Sequence, residues 1–304
     1  MDCPPIPWPS QSCTEALQYT FGLGSTCCPR HNERDDMDPV ALEIGPIAIR
    51  WYGIFVALGF LTGLLYVQHR AHKSGFGGER ASNLVFLGLI GGLIGARLFY
   101  VFTNWAHFRD VPLEILRLDQ GGLVFYGGLI GGAITLVAAC LISKIPMGFL
   151  ADLLIPGLPL GHALGRIGCF LNGCCFGKPT RGFCAVQYGP DSPTARVHEY
   201  HELIPAAAYA PLPVFPVQLL AAACNVGIFV FLLWIERRLK FRGQLMGTYL
   251  VVYGFYRFLI EFLRGDYVHA GLLTPAQEVS LIMIPAGIAL FAIARHRAGA
   301  RKDA

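Results

Sequence analysis

Charge is scarce in this 304-residue chain: Asp, Glu, Lys and Arg together make up 14% of it, against about 25% in an ordinary soluble domain. That shortage excludes a water-soluble globular protein. The first 36 residues contain no run resembling the apolar core of a signal peptide. Outside the apolar segments there is no stretch long enough for a separate soluble domain, and no cysteine spacing that matches the usual zinc patterns. What is present is apolar. Hydrophobic residues reach 54% and the mean hydropathy is +0.50. Runs of roughly 20 apolar residues recur, each long enough to cross a hydrocarbon core of about 30 Å as a helix. These totals describe an all-α polytopic membrane protein. The net charge of +4 matters less than where the charges sit relative to the bilayer.

Residues 1–36 combine Pro, Ser, Cys and charge without apolar periodicity, and read as a disordered extension. Met37 opens a segment that reads well as a natural start. From residue 37 onward the pattern predicts a seven-helix bundle. Its spans run from Ile47 to Gln68, Asn83 to Thr103, Leu123 to Ile142, Phe149 to Leu171, Val214 to Ile235, Leu245 to Leu263 and Val279 to Ala294. The loops after the odd spans and the tail carry Arg70, Lys73, Arg80, Lys144, Arg237, Arg238, Lys240, Arg242, Arg295, Arg297, Arg301 and Lys302. The opposite loops are poorer in basic residues per length, so the first set is assigned to the cytoplasm. That leaves the N-terminus outside, the C-terminus inside, and external loops between helices 2 and 3 and between helices 4 and 5.

The ten cysteines fall into unrelated groups. Four lie in the first 36 residues; Cys140 and Cys224 read as small buried hydrophobes; Cys169, Cys174, Cys175 and Cys184 follow a polar break. For these last four, a disulfide or unpaired thiols is the expectation, ahead of a metal site. The pentapeptide GGLIG occurs twice, at Gly91–Gly95 and at Gly127–Gly131, and its spacing lets helix backbones approach closely in lipid. Before the second copy stand Gly121, Gly122, Phe125 and Tyr126, at a helix start that offers free N–H groups to an anion.

The most costly residue is Arg166, in LGRIGCFLNGCCFG (Leu164–Gly177). An unpaired guanidinium at bilayer depth costs a few kcal/mol, and no acid lies within a helical turn of it in sequence. His162, Arg166, Cys169 and Gly173 share one face, with Asn172 beside them. In the sixth span Tyr253, Arg257, Glu261 and Arg264 form a stripe in which two arginines flank one glutamate. A bound anionic lipid headgroup would balance the excess charge, because guanidinium forks match phosphate oxygens. Arg97, Tyr100 and Asn104 line a face of the second span; Arg97 either snorkels to the interface or serves the site. Trp51 and Tyr52 stand at an aromatic belt position.

The motifs WYG (Trp51–Gly53), FYGGLIGG (Phe125–Gly132), GRIGCFLNG (Gly165–Gly173) and YGFYRFLIEFLRGD (Tyr253–Asp266) resemble those of the prolipoprotein diacylglyceryl transferase family. The likeness covers nearly all of Asp38 to Ala294 in motif order. It implies a seven-helix inner-membrane enzyme that moves the diacylglyceryl group of phosphatidylglycerol onto the lipobox cysteine of a prolipoprotein and releases glycerol 1-phosphate. The implied partners are that lipid, the signal peptide with its lipobox, and the membrane; no cofactor, metal or nucleic acid is called for. The resemblance makes Arg166 and Arg257 the phosphate ligands and assigns Asn172, Glu261 and Tyr52 to the headgroup site, with Arg97, Tyr253 and Arg264 nearby. Gly127 and Gly128 would let lipid and backbone come close.

Three departures stand out. Tyr126 occupies the place of a histidine proposed as a base, and a phenol with a reference pKa near 10 is a poor base at neutral pH. Either Tyr126 acts with help or the thiol loses its proton by another route. Cys169 and Cys174 replace an asparagine and an acid, and the segment from Phe215 to Leu220 keeps only part of the family's pattern. The alternative reading is a non-catalytic lipid-binding or transport protein on the same bundle.

Overall fold

The computed structural model describes residues 39–44, 47–117, 122–205, 210–266 and 272–300. The 1–36 extension, Gly121, Arg301 and Lys302 lie outside them. The compact unit that begins at Met37 opens on a hairpin, β1 (Val40–Ile44) against β2 (Ile47–Arg50), with Leu42 opposite Ile49 and Ile44 opposite Ile47. The first helix was expected from Ile47. It starts instead at Trp51, because the β-branched alternation Ile-Ala-Ile suits a paired strand, and Trp51 N–H bonds to Pro39 O at 3.1 Å. The fold is therefore helical with one small hairpin.

Helices follow as α1 (Trp51–Lys73), α2 (Gly78–Thr103), the short α3 (Trp105–Phe108), α4 (Phe125–Ile142), α5 (Met147–Leu154), α6 (Gly157–Asn172), α7 (Pro193–Tyr200), α8 (Val217–Glu236), α9 (Gln244–Glu261) and α10 (Pro275–Ala300). Among the described residues, six stretches are long and apolar enough to cross a membrane, with α5 and α6 counted as one, Met147–Asn172. That stretch is interrupted at Pro156, which has no N–H to continue the ladder. The 18-residue α9 is not among the six, because its tyrosines, Arg257 and Glu261 lower its hydropathy. The outer faces are apolar: Ile90, Ile94, Leu98 and Phe102 of α2 and Leu129, Ile134 and Leu141 of α4 all stand exposed. This is a polytopic helical membrane protein.

Without a hydrophobic drive between helices in lipid, close backbone packing has to hold them together. Here α2 and α4 run antiparallel with their glycines interlocked. A Cβ added at Gly95 would lie 2.5 Å from Gly127 O and 2.8 Å from Gly131 Cα. Both copies of GGLIG thus serve one contact. The same device joins α1 to α6, where a Cβ on Gly59 would meet Gly161 O at 2.8 Å, and α9 to α10, through Gly247 and Gly287.

One end of the bundle is locked by buried polar bonds. Arg70 pairs with Glu236 and donates to Asp152 O at 2.6 Å, while the Asp152 carboxylate accepts from the N–H groups of Gly243 (2.6 Å) and Met246 (3.0 Å) at the start of α9. This leaves the opposite end, where α1 and α4 begin and α6 and α9 finish, to form a site.

Gly95→Leu is expected to destabilise the bundle by about 1–3 kcal/mol through overpacking. Gly227→Leu, at a position with open space around it, should change little. Thermal unfolding in detergent distinguishes them, and equal melting temperatures would contradict the packing account.

Candidate active site

From that end a cavity of about 690 Å³ runs along the bundle toward Val67 and Leu154, and its polar lining is Tyr52 of α1, His162, Arg166 and Cys169 of α6, Cys175, Asn225 of α8 and Tyr253 of α9, with Phe125 of α4 beside them. From Arg166 a narrow crevice of about 10 Å³ continues past Cys175 and Gln218 to Tyr256, Arg257 and Arg264. Arg166 and Cys175 border both spaces, so the guanidinium groups of α6 and of the α9 end lie around adjoining cavities.

Their compensation is unequal. Arg257 pairs with Glu261, which also lies 3.7 Å from Arg264, and Arg264 donates through Nε to Asp266 at 2.8 Å. Asp266 is a second acid that the stripe of spacings did not count, so two arginines face two carboxylates at the end of α9. Among the described residues Arg166 makes no ion pair, and the excess positive charge is its own. Glu261 is buried, with one carboxylate oxygen lacking a hydrogen-bond partner.

The chain break beside Arg166 is built by a Schellman turn. Gly173 takes φ +69°, its N–H bonds to Phe170 O at 3.2 Å, and Cys174 N–H bonds to Cys169 O at 3.1 Å. Cys175 follows with φ +57°, a conformation uncommon for a side-chain-bearing residue. The loop is pinned from several sides. Thr194 donates to Gly173 O (2.7 Å), Gln218 to Cys174 O (2.9 Å), Gly177 N–H to Phe215 O (3.0 Å), and Lys178 N–H to Leu263 O (3.0 Å). These bonds satisfy backbone that would otherwise be exposed at membrane depth.

The turn folds the Cys169, Cys174 and Cys175 thiols together, their sulfurs all within 4.8 Å of one another. The Cys174 thiol donates to Cys169 O at 3.8 Å, and Cys174 and Cys175 are half-buried.

Of the residues singled out from the sequence, Tyr52, Arg166 and Tyr253 line the cavity, and Arg257 and Arg264 line the crevice, with Glu261 between them. Asn172 sits at the break with a buried, unpartnered Oδ1. Arg97 is placed elsewhere. It donates to the carbonyls of Glu114, Ile115, Arg117 and Gly122 at 2.6–3.1 Å and lies over the rings of Tyr100 and Phe108, so it holds the connection between α2 and α4. Gly127 and Gly128 face α2, and Tyr126 lies beside Phe125, outside the residues that line the cavity. The sequence reading singled out Cys175 only as one of four cysteines after the polar break, and did not single out Asn225 or Tyr256. Asn225, a polar residue inside an apolar helix and bonded to Tyr256 Oη at 3.2 Å, was the available signal.

The family model described as prolipoprotein diacylglyceryl transferase matches residues 39–293. Proteins named phosphatidylglycerol–prolipoprotein diacylglyceryl transferase are similar over most of the chain. The one from Clostridium tetani is 34% identical over 262 residues, covering 86% of this chain and 99% of the relative. The one from Rhodospirillum rubrum is 36% identical over 273 residues, covering 86% and 93%, and the one from Aliivibrio fischeri is 34% identical over 260 residues, covering 83% and 87%.

The segment that pins the break depends on a neutral histidine. His198 is fully buried against Phe176, accepts from Leu212 N–H at 3.2 Å, and has its pKa lowered to about 4 by burial and by His201. Above pH 6.5, the ordinary histidine value, it contributes no pH dependence. As pH falls from there through about 4, the unfolded segment binds a proton that the folded one refuses, so stability is lost. The protection factor of the Leu212 amide, with the intrinsic pH dependence of exchange divided out, should fall over that window and be constant above it; a constant protection factor throughout would refute this.

Proposed function

The chain belongs to the prolipoprotein diacylglyceryl transferase family, so it is an enzyme that transfers a diacylglyceryl group from phosphatidylglycerol to a prolipoprotein, and we propose that Arg166 is the group around which the lipid headgroup is held. One observation carries this. Arg166 makes no ion pair among the described residues and borders both the 690 Å³ cavity and the crevice shared with Arg257 and Arg264. A half-buried cation so placed calls for an anion, and a phosphodiester supplies one.

In this reading acyl chains occupy the apolar part of the cavity between α1, α2 and α4, and the phosphate lies between Arg166 and Arg257. The nucleophile is the thiol of the lipobox cysteine, attacking as thiolate. Sulfur bonds to the glycerol carbon, the carbon–oxygen bond to phosphate breaks, and glycerol phosphate departs with the electron pair. Cations fixed where that charge develops lower the barrier. Glu261 and Arg264 position Arg257 through the ion-pair chain described above, and Tyr52, Asn172 and Tyr253 complete the headgroup site. Gly127, Gly128 and Arg97 act through the α2–α4 pair, shaping the wall without touching lipid. We further place seven crossings, α9 being the seventh, in the inner membrane, with the N-terminus outside and the basic α1, α8 and α10 ends in the cytoplasm.

The test is expression in cells depleted of their own transferase, scoring lipidated precursor. Wild-type protein should restore lipidation, and Arg166→Ala should cut the rate by about 10²- to 10³-fold, as removing one charge-stabilising donor does elsewhere, while melting as wild type. Full activity in a folded Arg166→Ala protein would sink the assignment. Tyr126→Phe should remain active, because the tyrosine lies off the cavity wall; loss of activity there would restore a role for its hydroxyl.

A further inference from the structure

A thiol that must attack as thiolate needs somewhere to leave its proton, and the chain has tyrosine where a histidine base would stand. The cavity wall offers a different group. Cys169, Cys174 and Cys175 bring three sulfurs within 4.8 Å of one another, and Cys169 and Cys175 both line the cavity beside Arg166. Zinc bonds thiolate sulfur at about 2.3 Å, which sets sulfurs about 3.8 Å apart around a tetrahedral ion. The cluster is within small side-chain rotations of that geometry. It is also held in place before any ion arrives, by the Schellman turn at Gly173, the left-handed Cys175, and the bonds from Thr194 and Gln218 to the loop carbonyls. The guanidinium groups of Arg166 and Arg264 border the same crevice as Cys175, so the negative charge of a metal-bound thiolate set has cations beside it. Among the described residues no fourth Cys, His, Asp or Glu joins the group, and three protein ligands with one open position is the pattern of a catalytic zinc site.

We propose that Cys169, Cys174 and Cys175 bind a divalent thiophilic cation of the zinc class, whose open position faces the cavity and takes the substrate's cysteine sulfur. The inference rests on the transferase reading above. The substrate R–SH coordinates and its proton passes to water. The bound thiolate then forms the carbon–sulfur bond as the carbon–oxygen bond to phosphate breaks, the electron pair leaving on glycerol phosphate. The neutral thioether is a poor ligand and dissociates. No oxidation state changes. A metal-bound thiol is deprotonated outright, so no basic side chain is required.

The test uses the full chain, reduced and purified in detergent. Plasma mass spectrometry should find about one zinc per chain. Cys169→Ser, Cys174→Ser and Cys175→Ser should each lower this at least tenfold, and Cys184→Ser, at an exposed thiol outside the cluster, should not. Protein stripped by chelator and loaded with Co²⁺ should show a thiolate charge-transfer band that shifts when a lipobox peptide is added and stays put when its cysteine is serine. Because stripping and reloading act on wild-type protein, the result does not depend on the variants folding. Failure to retain zinc or to take up Co²⁺, metal that persists in all three variants, or a band indifferent to the peptide cysteine would each overturn the proposal. So would undiminished transfer by stripped protein, which would leave the transferase reading intact. A cysteine-dependent spectral shift in a protein that restores no lipidation would support the metal site and reject the transferase reading.

Discussion

A guanidinium group cannot be left without a counter-charge in a hydrocarbon slab, and the arrangement around Arg166 follows from that constraint. The cost of a charge at membrane depth is met by a partner, by water or by a ligand. At the end of α9 protein partners suffice: Arg257 and Arg264 are matched by Glu261 and Asp266. At Arg166 they do not, and among the described residues the charge is carried on the wall of the 690 Å³ cavity without an ion pair. The imbalance is a property of helix spacing, since α6 offers no acid in reach. It is the imbalance on which the proposed headgroup site rests.

The break that follows Arg166 satisfies a second demand. Irregular backbone at membrane depth must have its polar groups answered within the protein. The segments around α7 and ahead of α8 do this, reaching in through Thr194, Gln218 and Phe215 to the loop from Gly173 to Gly177. The connection between α6 and α8 is therefore part of the site's framework, and His198, buried and neutral, is one of its fixings. The same bonds that quiet the backbone set the three thiols beside the arginine.

What the sequence disclosed was whatever depended on local spacing. Helices of 3.6-residue period, the stripe from Tyr253 to Arg264 and the isolation of Arg166 were legible because neighbours on one helix are neighbours in the chain. Contacts between elements were not. Nothing local reveals that Arg97 donates to carbonyls 17 to 25 residues away, or that the second GGLIG packs against the first. The sequence grouped Cys169, Cys174, Cys175 and Cys184 but could not say which of them converge: Cys169 and Cys175 meet because two left-handed residues, Gly173 and Cys175, fold the chain back. At Ile47 two periods competed, and strand pairing with Val40–Ile44 won over an earlier helix start.

The glycine contacts carry a mechanical consequence. With backbones touching at Gly95 and Gly127, at Gly59 and Gly161, and at Gly247 and Gly287, neither member of a pair can bend or slide without driving atoms into its mate. The bundle is then an assembly of three stiff planks, α1–α6, α2–α4 and α9–α10. Movement between helices is left to the seams where planks meet, because within a plank the backbones already touch.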